Sequence, residues 1–324
     1  MSAAPPLVSV IALFDRGIFD VCLPSLFDQS FADFEILAVT GSETVAPPSD
    51  PRLKHLVIAD RNPARRRNQA AQAARGAILA FIDDDAAAAP DWLTRGVGFL
   101  RADPVAAGCG GPNLRYGDAT TGELVTDLLL TAPLIGAGSR AYRGGGATAL
   151  ARPGELHLVN LFVRKDWWDK LGGLDESMGY GAEDTEFIDR ATRAGAEIFF
   201  VPGLIVRHRR RPFGLAYLRQ RLTLRQQTGR LFIRRPGVYA RNGGFWAALA
   251  LPLLLLGLVL NPGLILPAAL GYVGMTITLS RLGWAGRPWL AALAPAAFLL
   301  HHLTYTAGLW LGILKGLVGR TPVR

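Results

Sequence analysis

The stretch Ala77-Ile-Leu-Ala-Phe-Ile-Asp83-Asp84-Asp85 runs an apolar segment straight into three adjacent carboxylates. The mostly apolar run predicts a buried strand, and the aspartates that follow would repel one another unless a cation lay beside them. Pro90-Asp91-Trp92 then predicts the start of a helix. The alternative interpretation is a solvated turn with an acidic helix cap, but a cap needs only one carboxylate. We therefore predict a site for a hard divalent cation that also holds phosphate oxygens of a substrate.

Around this stretch, apolar runs of strand length alternate with helical patterns. The predicted strands are Leu7 to Leu13, Phe34 to Val39, Leu53 to Ile58 and Ala77 to Ile82. The predicted helices between them are Phe19 to Asp28 and Pro63 to Ala74. This alternation indicates an α/β domain with a largely parallel sheet and covering helices. Because ligands bind beyond the carboxyl ends of such strands, Asp83 to Asp85 are expected to border a cleft.

A second acidic cluster follows a glycine-rich loop, where Glu183 and Asp184 open a predicted helix. One interpretation is structural, because acidic residues stabilise a helix N-terminus. The other is catalytic, because a hydroxyl nucleophile needs a carboxylate base placed away from a metal-bound leaving group. The residues alone leave both interpretations open.

The C-terminal part of the chain is strongly apolar. Half of the 324 residues are hydrophobic and the mean hydropathy is +0.24, which is high for a soluble enzyme. Three uncharged stretches, Phe245 to Leu260, Leu264 to Ser280 and Pro288 to Leu314, predict two to three transmembrane helices. A buried helical bundle in a soluble protein is the alternative. The first residues show no secretory signal, so we expect the first domain to be cytoplasmic.

Charge is segregated along the chain. The net charge is +9, yet every Asp and Glu precedes residue 205, whereas eleven arginines lie between Arg207 and Arg241. Within this belt, residues 217–233 are predicted to form an interfacial helix on anionic lipid. Nucleic-acid binding is the rival explanation, but the belt abuts a predicted membrane span and lacks interleaved aromatic residues for base stacking.

Taken together, these motifs resemble the family 2 glycosyltransferases of the GT-A fold over residues 7–210. The matching segments stand in the family's order: Val8-Ser-Val-Ile11, Ser25-Leu-Phe-Asp-Gln29, Phe34-Glu-Ile-Leu37, Ala64-Arg-Arg-Arg67-Asn68, Ile82-Asp-Asp-Asp85, Gly172-Gly-Leu-Asp175-Glu176 and Glu183-Asp184 through Arg190. The chain departs from the family at Thr40, where Asp is common, and at Ala12-Leu13, where Pro is usual. These departures leave the nucleotide base open.

The resemblance implies an inverting transfer of a sugar from a nucleotide-diphosphate donor. It implies that Asp83 and Asp85 match the metal- and ribose-binding carboxylates, with Asp85 as the direct ligand of Mg²⁺ or Mn²⁺. His208 matches a position where related enzymes place a histidine near the metal or diphosphate, although a strand-end residue in a basic run is an equal alternative. Asp184 matches the general base, with Glu183 beside it.

Further binding residues follow from the same resemblance. The nucleotide-sugar site is expected to include Asp83, Asp84, Arg67, Asn68 and Arg190. Residues expected to contact the acceptor are Trp167, Trp168, Gln227 and Arg230. For the tryptophans the alternative is packing beneath the following turn. Gln227 and Arg230 match the Gln-x-x-Arg-Trp motif of processive polysaccharide synthases except that Leu231 replaces the tryptophan, and the alternative is that this match arose by chance.

The sequence thus predicts a GT-A domain in residues 1–206, a basic interfacial segment in 207–241 and a membrane domain in 242–324. The predicted protein is a multi-pass enzyme of the cell (inner) membrane with a cytoplasmic catalytic domain. Its acceptor is expected to be a polyprenyl-linked glycan or polyprenyl phosphate in polysaccharide or glycolipid synthesis. The alternatives are a sugar nucleotidyltransferase of related fold and a non-catalytic membrane scaffold.

Overall fold

A computed structural model describes residues 4–14, 19–132, 140–283 and 291–319. The strands are β1 Val8–Leu13, β2 Phe34–Thr40, β3 Leu53–Val57, β4 Ile78–Asp83, β5 Ala86–Ala88, β6 Ala106–Gly110, β7 Asn113–Leu114, β8 Ala149–Leu150, β9 Leu161–Arg164, β10 Glu197–Phe200 and β11 Val206–His208. The helices are α1 Cys22–Phe27, α2 Pro63–Ala73, α3 Trp92–Ala102, α4 Thr121–Thr131, α5 Arg140–Arg143, α6 Lys165–Leu171, α7 Glu183–Arg193, α8 Leu215–Arg234, α9 Gly243–Leu260, α10 Ile265–Gly283 and α11 Ala294–Val318.

The chain forms two compact units. The first contains residues 1–116 and 143–209, and the second contains residues 117–142 and 210–324. The first unit holds the strands, whereas the described part of the second is helical.

The first unit is built on a mixed sheet with the strand order β3-β2-β1-β4-β9-β6-β10-β8. Strands β1 to β4 pair in parallel, as the alternation of strands and helices predicts. Strand β9 breaks this pattern, because it lies antiparallel between β4 and β6. A smaller sheet, in the order β5-β11-β7, borders the carboxyl end of β4.

The core of the first unit lies on both faces of the large sheet. Strands β1 and β2 are buried along their whole length, which explains why they read as continuous apolar runs. One face packs against a cluster that includes Trp92 and Phe162, and the other against a cluster that includes Phe81 and Trp168. The predicted strands are each confirmed to within a residue or two, while the helix predicted at Phe19 to Asp28 is shorter, at Cys22–Phe27.

The second unit is organised around α8 and α11, which run parallel and pack closely. Small residues on α11 permit this approach: a Cβ added at Gly308 would lie 2.6 Å from the backbone oxygen of Leu222, and one at Gly312 would lie 2.1 Å from that of Gln226. The belt helix α8 is therefore packed against another helix along one face, instead of resting only on lipid.

Two of the described helices are long and apolar enough to cross a membrane, by length and composition only. They are α9, Gly243–Leu260, and α11, Ala294–Val318. The span predicted at Leu264 to Ser280 falls in α10, and the apolar helix found there within the described residues is Pro262–Thr278, so a crossing at this stretch stays a prediction. The predicted third stretch starts at Pro288, which is outside the described residues, and continues into α11.

Candidate active site

The triple aspartate lies at the junction of the two sheets. Strand β4 ends at Asp83, and a two-residue turn leads into β5. Strand β11 pairs antiparallel with β5 and brings His208 opposite Ala86. As a result, His208 Nε2 lies 2.8 Å from Asp85 Oδ1. Local strand pairing therefore joins residues that are far apart in sequence.

Asp83, Asp85 and His208 form a group that could hold one metal ion. Each offers a ligand atom, and these three atoms all lie within 4.8 Å of one another. Their side chains are partly exposed, at 33%, 29% and 25%. Two carboxylates and an imidazole suit Mn²⁺ well, and Mg²⁺ would use the two oxygen ligands. The residues present thus fit a divalent cation.

The middle aspartate, Asp84, differs from its neighbours because it is buried. The thiol of Cys22 is fully buried nearby, and burial raises its pKa well above the usual value. The carboxylates of Asp84, Asp83 and Asp85 raise this pKa further. The negative field of the triple aspartate therefore extends into the protein interior.

The second acidic pair is presented by a strained loop. Gly179 and Gly181 have positive φ, and Ala182 follows at φ 68°, a conformation that costs a non-glycine residue about 1–2 kcal/mol. Helix α7 then begins at Glu183, whose Oε2 accepts a hydrogen bond of 2.7 Å from the Gly181 nitrogen. Strain of this kind persists where the surrounding structure holds a functional group in place.

Burial raises the pKa of both carboxyl groups of this pair. The pKa of Glu183 is raised by desolvation and then by the negative charge of Asp184. The pKa of Asp184 is raised by desolvation, against hydrogen bonds from the nitrogen and hydroxyl of Thr185. A carboxylate with a raised pKa is a better proton acceptor near neutral pH than an ordinary one.

Arg67 connects the two acidic clusters. Its Nη2 donates to Asp83 Oδ1 at 2.9 Å, and its Nη1 lies 3.8 Å from Glu183 Oε1. The side chain is only 9% exposed, and its charge lowers the pKa of both Glu183 and Asp184. The position of α2 is fixed at its start, where Asn62 Oδ1 accepts from the Ala64 nitrogen at 3.0 Å. The structure thus brings together the two clusters that the sequence kept apart.

Asn68 and Arg190 hold the turn between α6 and the strained loop. Asn68 Nδ2 donates to the oxygen of Leu174 and its Oδ1 accepts from the Leu174 nitrogen, at 3.0 and 2.8 Å. Arg190 donates to the carbonyl oxygens of Leu171 and Gly173 and pairs with Glu186. Both side chains are therefore engaged with protein groups, and their predicted contacts with a nucleotide sugar stay predictions.

The four residues predicted to contact the acceptor lie in different surroundings. Trp168 is 3% exposed and stacks on Phe81 with ring centroids 4.8 Å apart, so its position fits the packing alternative. Trp167 is half-buried beneath the ammonium group of Lys170. Gln227 and Arg230 lie half-buried on α8, in the second unit.

Two residues near the candidate metal group were missed from the sequence. The Arg209 guanidinium lies 4.6 Å from the ring centroid of Tyr116, and the Arg209 nitrogen donates to the Asp85 oxygen at 3.4 Å. Burial raises the pKa of Tyr116. Arg209 follows His208 directly, and this adjacency was the available signal. Tyr116 had none, because its nearness depends on the pairing of β7 with β11.

A mixed sheet with flanking helices and an Asp-x-Asp group at the end of a central strand defines the GT-A class of glycosyltransferases. Comparisons with known proteins indicate the same class. The model of the family "Glycosyl transferase family 2" matches residues 16–143. The glycosyltransferase AglE of Haloferax volcanii is 26% identical over 227 residues, which cover 66% of this chain and 70% of that protein.

A solved structure supports the same fold. The mannosyltransferase PcManGT of Pyrobaculum calidifontis, in complex with GDP-Man and Mn²⁺, matches with a TM-score of 0.57 and 18% identity. The match covers 98% of this chain and 88% of that one. The chain thus has the GT-A fold, and its residues 16–143 resemble the family 2 glycosyltransferases. Both the matched family and the relative AglE are named for glycosyl transfer.

Proposed function

We propose that this chain is a metal-dependent, inverting glycosyltransferase, which moves a sugar from a nucleotide-diphosphate donor to an acceptor at a membrane. The observation that carries the proposal is the joining of two carboxylate groups through Arg67. One group, with His208, suits a divalent cation, and the other contains carboxyls whose pKa is raised. Separate sites for the leaving group and for the base are what inverting transfer requires.

In this proposal Asp83, Asp85 and His208 hold Mn²⁺ or Mg²⁺. When bound, the cation would act as a Lewis acid for the departing diphosphate. Asp184 takes the proton of the acceptor hydroxyl, and burial together with the negative charge of Asp83 keeps the pKa of Asp184 high. Arg67 neutralises part of the negative charge of both groups, so that Asp184 remains ionised when the pH is near neutral.

The acceptor is proposed to be lipid-linked. Support comes from α9, where Leu253, Val259 and Leu260 expose 72%, 72% and 76% of their surface. An apolar surface of this extent is expected to face lipid. With the arginine belt beside it, the polar donor would be used from the cytoplasmic side of the cell (inner) membrane, in polysaccharide or glycolipid synthesis.

The two proposed lipid acceptors differ in their need for a base. A polyprenyl phosphate is already largely ionised near neutral pH, because the second pKa of a phosphate monoester is about 6. A polyprenyl-linked glycan offers a hydroxyl, which must lose its proton during transfer. The raised pKa of Asp184 therefore favours the glycan.

Transfer from a panel of nucleotide sugars to membrane extracts tests the proposal. We expect Asp184→Asn to lower the transfer rate by a factor of about 10²–10⁴, the contribution of a positioned base. Asp189→Asn is the matched control, since Asp189 lies on the same helix and pairs with Arg193. An Asp184→Asn variant that keeps the full rate with every donor and a hydroxyl acceptor would remove the assignment of the base.

A further inference from the structure

Two arginines on α8 lack a carboxylate partner. Arg221 and Arg225 lie one helical turn apart, and neither makes an ion pair with Asp or Glu in the described part of the chain. The Nε atoms of both are shielded from solvent and have no hydrogen-bond partner there. Arg225 Nη1 reaches the hydroxyl of Thr228 at 3.4 Å, which is a weak neutral contact.

One tyrosine ring lies beside each of the two guanidinium groups. The Arg225 guanidinium lies 4.3 Å from the ring centroid of Tyr305, and that of Arg221 lies 5.2 Å from the centroid of Tyr217. Tyr217 is fully buried and its hydroxyl is 2.8 Å from Nδ1 of His301, which fixes the ring. The two arginines are therefore held in place by neutral groups.

The second unit offers few carboxylates that could balance these charges. No Asp or Glu occurs after residue 204, so acids can come only from residues 117–142. That segment contains Asp118, Glu123 and Asp127, and none of the three pairs with Arg221 or Arg225 in the described residues. Glu123 forms a capping box with Thr120, and Asp127 accepts from Arg210 Nε at 3.0 Å. A guanidinium whose Nε is shielded from water and has no hydrogen-bond partner is costly, so a bound anion is expected beside Arg221 and Arg225.

The shape of the donors and the surrounding surface identify the anion. A guanidinium offers a planar fork of N–H donors that matches phosphate oxygens. The same unit contains α9 with its exposed leucines, which makes a membrane lipid the nearest source of phosphate. We propose that Arg221 and Arg225 form a binding site for the phosphate group of a membrane lipid. This inference rests on the proposed membrane association for the source of the phosphate.

The test uses the full chain in uncharged detergent micelles, with the thermal midpoint followed as lipid is titrated. The probes are dioleoylphosphatidic acid, dioleoylglycerol, which has the same acyl chains without phosphate, and inorganic phosphate at matched ionic strength. The variants are Arg221→Gln, Arg225→Gln and Arg225→Lys, with Arg219→Gln as control. Arg219 is exposed on the same helix, so its loss removes the same charge without touching the site.

We expect phosphatidic acid to raise the midpoint of the wild type and of Arg219→Gln, and dioleoylglycerol to have no such effect. The apparent affinity should fall roughly ten- to a hundred-fold in Arg221→Gln and Arg225→Gln, as for loss of one charged hydrogen bond. Arg225→Lys keeps the charge but loses the fork, so it should bind with intermediate affinity even if the Gln variant folds poorly.

Three results would overturn the proposal. Equal lipid-induced shifts in Arg225→Gln, Arg225→Lys and Arg219→Gln would assign the arginines a purely structural role. If dioleoylglycerol shifted the thermal midpoint as much as phosphatidic acid does, the site would not recognise the phosphate group. If inorganic phosphate saturated the site and phosphatidic acid then had no further effect, the ligand would be free phosphate and not a lipid. Flotation of the wild type with phosphatidylcholine vesicles is a separate readout, so failure of membrane association is distinguishable from failure of this site.

Discussion

At the scale of single residues, the candidate metal group depends on His208 as well as on the aspartates. His208 reaches Asp85 because β11 pairs with β5, and its nitrogen favours Mn²⁺ over Mg²⁺. We expect His208→Ala to weaken Mn²⁺ binding at least about ten-fold, with a smaller effect on Mg²⁺. Titration calorimetry of the full chain with each ion measures this difference.

The control for that experiment is His157→Ala. His157 is half-buried in the same unit, and its Nδ1 lies 3.3 Å from the Asn113 amide nitrogen. This substitution should leave the affinity for both ions unchanged. Equal Mn²⁺ affinity in His208→Ala and the wild type would show that His208 is not a metal ligand. His208 would then be only a strand-end residue in a basic run.

Arg67 sets the protonation of the acidic pair. Burial raises the pKa of Asp184 and Glu183, and Arg67 lowers it. Since the base acts when deprotonated, activity should fall as the pH drops through these raised values. In Arg67→Gln the acidic limb of the rate profile should move up by about one pH unit. The profile of transfer rate against pH measures the shift, with Arg65→Gln, an exposed arginine on the same helix, as control.

Stability should respond to pH in the opposite sense. Between the ordinary carboxyl pKa of about 4 and the raised native values, the folded state binds more protons than the unfolded state. The contribution of this pair to the free energy of unfolding therefore decreases as the pH rises through that interval.

In the profile of transfer rate against pH, an acidic limb that lies in the same place in Arg67→Gln and Arg65→Gln would contradict the role given to Arg67.

At the scale of elements, the second unit depends on the close contact of α8 and α11. A Cβ at Gly312 would lie 2.1 Å from the Gln226 backbone oxygen, so Gly312→Ala must separate the helices. We expect this change to lower the free energy of unfolding by about 1–3 kcal/mol, as overpacking does. Thermal unfolding of the full chain in detergent micelles measures the loss.

Gly274→Ala provides the contrast. An added Cβ at Gly274 in α10 meets nothing within 4 Å, and alanine favours a helix over glycine by about 1 kcal/mol. The control should therefore be neutral or stabilising. If the two substitutions had equal effects, the contact between α8 and α11 would not be the close packing described above.

The same scale shows what could be predicted from sequence. Strand β4 and the aspartates after it form a continuous local pattern, as do the glycine loop and the acids of α7, so both were found. Strand β9 was not, because four residues carry little periodicity and its place between β4 and β6 comes from distant pairing. The contact of Arg67 with Glu183 likewise joins positions more than a hundred residues apart, whereas Asp83 is only 16 residues from Arg67.

At the scale of the whole molecule, the chain divides differently from its linear order. The sequence predicts a break near residue 206, and the described structure places residues 117–142 with the C-terminal unit. Helix α4 has Leu128 and Leu129 packed with Phe298 of α11. Nothing in the composition of α4 distinguishes it from a helix of the first unit, because an amphipathic face does not name its partner.

The central claim is an inverting, metal-dependent sugar transfer by the full chain. Its most direct test is the anomeric configuration of the product, followed by proton NMR in the presence of Mn²⁺ and the donor found in the transfer panel. We predict that an α-linked donor gives a β-linked product, and that chelation of the metal abolishes the reaction. A product that retains the α configuration would contradict the assignment of Asp184 as the base that activates the acceptor.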